Sequence, residues 1–71
     1  MAIIKWKVSE TTMMDFRTLM VRVSEAEQAN DLPAYWEAVE MVKMLPGFPA
    51  HMNLLQDEVH LILDRPIILV H

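Results

Sequence analysis

Asp57, His60 and Asp64 stand three and four residues apart, so on a helix all three side chains share one face. Neutral imidazole and carboxylate oxygens together are ligands for zinc or another divalent ion. One His beside two carboxylates is more simply a solvated polar face, and on a strand the shared face does not exist. No metal is expected. Glu37 and Glu40 are also three apart, but they sit with Lys43 on a charged helix side. A general acid and base need environments that separate their pKa values, and nothing in the sequence buries either one.

Other chemistries fare no better. Ser9, Thr11, Thr12, Thr18 and Ser24 form no nucleophile motif, and a single Gly cannot build a phosphate-cradling loop. Trp6 lies between Lys5 and Lys7, which suggests a surface where an aromatic stacks on bases and cations meet phosphates. On a strand, though, Trp6 points away from both lysines. Six Lys and Arg against ten Asp and Glu give a net charge of −4, the wrong sign for a phosphate-binding surface. The expectation is no enzyme, no cofactor and no nucleic-acid partner.

The elements that carry these residues follow from periodicity and caps. AIIKWKV over 2–8 alternates and is rich in residues that suit a pleated surface, so it reads as a strand. Thr12 with Asp15 three residues on resembles a capping box. Met13, Phe16, Leu19, Met20, Val23 and Ala26 then recur at helical spacing, which gives a first helix over about 12–30. Asp31 followed by Leu32 and Pro33 is a second helix start, and LPGFP ends that helix, giving about 32–45. The short Asn30–Asp31 joint makes the two helices an antiparallel hairpin.

NLLQDEVHLIL has two readings. It is a third helix over about 53–63 capped by Asn53, or EVHLIL is a strand that turns at Asp64 and Arg65 into PIILVH. Asp-Arg is a poor hairpin turn because neither residue favours positive φ, so the helix is preferred. The last segment, 66–71, reads as a short strand with Pro66 at its start. The expected fold is a single small α+β domain: a helical hairpin, a third helix, and short strands at the two ends.

Composition says what such a domain lacks. A chain of 71 residues buries only about 60% of its unfolded surface, and small scaffolds add disulfides, a metal or a partner. Cysteine is absent, and three His are a thin basis for a metal. The apolar fraction is nevertheless 54%, with seven Met, above the usual 45–50% or so of soluble domains. Asp64, Arg65 and Pro66 interrupt the longest apolar run, well short of the roughly 18 residues of a membrane span. The start, MAIIKWKVSE, lacks the basic lead of a signal peptide. The chain reads as soluble and cytoplasmic, with no membrane partner.

Trp36 is the residue that this helix pattern leaves over. At about 100° per residue, Tyr35, Ala38, Val39, Val42 and Leu45 form one face of the second helix. Trp36 and Met44 fall with Glu37, Glu40 and Lys43. The first helix repeats the oddity, because Met14 and Val21 lie opposite the Phe16 and Leu19 face. Trp and Met are enriched in interface cores, and flexible Met side chains adapt to irregular partners. Trp36, Met44, Met14, Val21 and Trp6 are therefore the expected interface residues.

The function expected from this is a protein-interaction module: a homo-oligomer acting as adaptor, assembly factor or inhibitor of a larger protein. In general look, as a short acidic chain with two packed helices and no catalytic motif, it is similar to small accessory proteins of phages and mobile elements. That likeness carries over no residue. A small-ligand binder with a pocket between subunits is the alternative, built from Trp36, Tyr35, Met residues and the Pro-Gly-Phe-Pro loop. A DNA-binding regulator ranks lower, since neither helix offers the basic side chains to reach phosphates.

Overall fold

The two helices begin and end on side chains whose chemistry satisfies free backbone groups. A computed structural model describes residues 2–64. Within it, α1 spans Glu10–Gln28 and α2 spans Leu32–Lys43. Ser9 caps α1: its Oγ accepts from the Thr12 N–H at 3.1 Å and its hydroxyl donates to Thr12 Oγ1 at 3.0 Å. The cap is thus Ser9 and not Thr12, because Ser9 is the residue with extended backbone at the strand exit. Thr12 is drawn into the first turn and buried.

The joint between the helices is a double cap in two residues. Asn30 takes φ 56°, a left-handed conformation that Asn tolerates better than other non-glycine residues. Its N–H donates to the Glu27 carbonyl and the Asp31 N–H to the Ala26 carbonyl, the paired bonds of a Schellman ending. Asp31 then caps α2 at once, its carboxylate accepting from the Ala34 N–H at 3.3 Å, with Pro33 in the first turn. The antiparallel helical hairpin is as the sequence implies, though α2 stops at Lys43, short of 45.

After α2 the chain turns twice. Leu45–Phe48 is a turn closed by the Phe48 N–H on the Leu45 carbonyl, with Pro46 and then Gly47 at φ 73° in its centre. Pro followed by a Gly of positive φ is the pairing that a type II turn favours. The Met52 N–H closes the next turn on the Pro49 carbonyl.

The expected third helix over 53–63 does not form. Asn53, expected as its cap, instead accepts the Leu55 N–H on Oδ1, and Asp57 closes a single turn by accepting the Asn53 N–H at 2.8 Å. Glu58–Leu63 is then a strand, β2, paired in parallel with β1, Ile3–Val8. The Glu58 N–H donates to the Ala2 carbonyl and the Asp64 N–H to the Val8 carbonyl, so the ladder is held at both ends. The reason is tertiary. EVHLIL fits either period over so short a run, but β1 presents along one edge a row of backbone donors and acceptors that pairing with β2 satisfies. The expected strand at 66–71 lies outside the described residues.

The register Ile4↔Val59, Trp6↔Leu61 and Val8↔Leu63 puts these six apolar residues on one face. Trp6 and Val8 are buried there. Trp6 is the centre of that layer, meeting Phe16 of α1 and Phe48 of the turn edge-on, each with ring centroids 5.6 Å apart. A second cluster, Val23, Ala38 and Val39 with Met20, Tyr35 and Leu54 against it, joins the two helices. The opposite sheet face carries Ile3, Lys5, Lys7, Glu58, His60 and Ile62, all exposed.

Candidate functional site

The polar constellations take positions that explain them without chemistry. Asp57 belongs to the turn before β2 and His60 to the strand itself, so the helical face shared by Asp57, His60 and Asp64 does not exist. Asp57 is committed to backbone, holding the Asn53 N–H and, at 3.4 Å, the Ala2 N–H. His60 Nε2 lies 3.6 Å from Glu58 Oε2 on the open sheet face, with both side chains half in solvent or more. Glu40 pairs with Lys43 at 3.7 Å on the exposed side of α2. Among the described residues no group of three or more His, Asp or Glu is placed to hold a metal ion, and no helix is long and apolar enough to cross a membrane.

The five expected interface residues divide. Met14, Val21, Trp36 and Met44 are 63, 55, 51 and 82% exposed. Trp6, expected with them, is only 3% exposed and belongs to the core of its own chain. The signal that separates the two tryptophans was available: Trp6 alternates in register with Ile4 and Val8, whereas Trp36 interrupts the apolar period of its helix. Trp6 still carries an oddity, since its indole N–H is buried with no acceptor among the described residues.

The four exposed residues also do not form one patch. Trp36 lies on the side of α2 away from α1, where it makes a T-shaped contact with Tyr35 at 5.2 Å. There it lines a cleft with Val39, Lys43, His51, Met52 and Leu54. Met44 lies on the other side of α2, in a groove along the α1–α2 seam with Asp15, Thr18, Arg22, Met41 and Leu45. Met14 and Val21 stand on the outer side of α1, in neither cleft nor groove.

Sequence reasoning missed Met41, which is 41% exposed and shares that groove. Its signal was simple: it precedes Met44 by three residues, so the two are neighbours on one helix side. Leu32, Leu55, Ile3 and Ile62 are exposed as well. The Pro-Gly-Phe-Pro loop, by contrast, is spent on the core, because Phe48 packs on Trp6. Comparison with known protein families, with curated proteins and with solved structures finds no match.

Proposed function

We propose that this protein is a non-enzymatic interaction module of the cytoplasm that associates with itself and covers part of a larger protein, as an adaptor, assembly factor or inhibitor does. One observation carries the reading. Among the described residues nine large apolar side chains are 40% or more exposed, as many as the nine residues of the buried apolar core. Single exposed apolar residues need no explanation, but surface and core of equal apolar number in so small a chain is a different matter. Apolar residues this numerous, divided between the α1–α2 groove with Met41 and Met44 and the cleft with Trp36 and Leu55, mark contact sites for other chains.

Two further features support it. The sheet is a parallel pair with one face open among the described residues, whereas parallel sheets are almost always covered on both faces. Two strands alone are also marginal in water. Cysteine is absent, so no disulfide reinforces the fold.

The test is size-exclusion chromatography with light scattering across a wide concentration range, together with affinity capture from source lysate. Mass that rises with concentration, and one protein captured in stoichiometric amount, are the expected results. A strict monomer that captures nothing would end the proposal.

A further inference from the structure

The groove along the α1–α2 seam has a property that its apolar floor alone would not give: its charges are self-complementary. Asp15 and Arg22 both line it, with Thr18 and Leu19 midway between them. Seven residues separate the two charges, which is two turns of helix or about 10 Å along the axis. Neither has an ion-pair partner within the described residues. Met41, Met44 and Leu45 of α2 form the apolar wall beside them.

We propose that this groove is where a second copy of the chain docks, with the two α1 helices antiparallel about a two-fold axis that passes between Thr18 and Leu19. This rests on the self-association reading above and names its surface. A two-fold interface brings the same patch against itself, so whatever faces residue i must be reciprocated. Antiparallel α1 helices centred there set Asp15 of each copy against Arg22 of the other, twice. A shift along the axis that centred the pair on either residue would bring like charges together, which costs affinity and rejects that register. The ion pairs thus set alignment, while burial of Met41, Met44 and Leu45 supplies the binding free energy. Met side chains, being flexible and polarisable, fill such a seam without demanding one fixed shape. Trp36 stays outside this contact, on the other side of α2, and is left free for a different protein.

The experiment exchanges the charges. D15R gives a chain with two cations in the groove, and R22D a chain with two anions. Each alone is expected to dimerise about tenfold or more weakly than the unchanged chain, a change well within what like-charge contact does. An equimolar mixture is expected to recover dimers that contain one of each, and the double exchange D15R/R22D in one chain to recover dimers by itself. Helical circular dichroism of every variant checks that folding is intact, and sedimentation velocity reads the mass.

If the unchanged chain dimerises and both single variants dimerise equally well, the groove is not the interface, although self-association stands. Single variants that weaken and are not rescued by mixing would also overturn the proposal, because the loss would then not come from an Asp15–Arg22 pair. A chain monomeric at every concentration would remove both readings together.

Discussion

The two tryptophans of this chain occupy opposite environments. Trp6 is 3% exposed and clasped edge-on by Phe16 and Phe48, while Trp36 is 51% exposed and touches Tyr35 at the rim of a cleft. Both are large amphipathic rings, and each could contribute one to several kcal/mol when fully buried. Only Trp6 does so within its own chain. The difference teaches where stability resides and where association resides: the sheet, α1 and the 45–48 turn close on Trp6, and α2 holds Trp36 outward.

The largest expected effect is therefore at Trp6. Replacing it with Ala removes the ring that three elements share and should cost about 3–5 kcal/mol, a large part of what a small domain has in total. Urea denaturation followed by circular dichroism should show the loss, and a variant as stable as the parent would deny Trp6 its central role. Trp6→Phe sharpens the point. It keeps an aromatic ring and removes the indole N–H that is buried without an acceptor among the described residues, a group that costs about 1–3 kcal/mol to leave unpaired. That variant should lose far less than Trp6→Ala, although indole and benzyl rings differ in volume.

Gly47 comes next. It holds φ 73° in the turn that carries Phe48 onto Trp6, and a Cβ there would approach Trp6 Nε1 at 3.4 Å. That distance is ordinary contact, so the cost lies in the backbone: an L-residue in left-handed conformation gives up about 1–2 kcal/mol. Gly47→Ala should lower the thermal midpoint and leave the helix content unchanged. A smaller loss of about 1 kcal/mol is expected for Asp31→Ala, which removes the cap of α2. A midpoint unmoved by that change would mean that the Pro33 first turn and the hairpin packing alone fix the helix start.

The joint of the helical hairpin was legible because its signals are local, whereas the outer ends, at Ser9 rather than Thr12 and at Lys43 rather than 45, were not. Asn30, Asp31 and Pro33 act on backbone groups within five residues, and the structure uses each of them within that reach. The strand β2 was not legible, because EVHLIL is too short for its period to decide and the deciding partner is β1, about 50 residues away in sequence. Asn53 misled for a related reason: its side chain accepts a nearby N–H both as a helix cap and as the start of an isolated turn, and only the Asp57 carboxylate closing back on it selects the turn. The exposure of Trp36 and Met44 could be read from helix phase. That they face different sides, one toward the 51–55 segment and the other toward α1, depends on how α2 is packed and not on its own period.

The smallest expected effect on stability is at Trp36, and that is why it discriminates best. A half-exposed side chain on a helix surface, away from caps and core, usually changes stability by no more than about 0.5 kcal/mol when replaced. Trp36→Ser should thus leave the urea midpoint nearly where it was, in contrast to Trp6→Ala. Its fluorescence signature is equally separate: in the parent protein acrylamide should quench a Trp36 fraction readily and a Trp6 fraction poorly, and Trp36→Ser should abolish the quenchable fraction. With the α1–α2 groove as the self-association surface, dimer mass should survive Trp36→Ser, while capture of a larger protein from lysate should fall. Loss of the dimer instead would place Trp36 in the contact between copies and move the two-fold axis from α1 to the outer side of α2. A ring that is dispensable for folding and indispensable for one partner but not the other would assign the two sides of α2 to two different contacts.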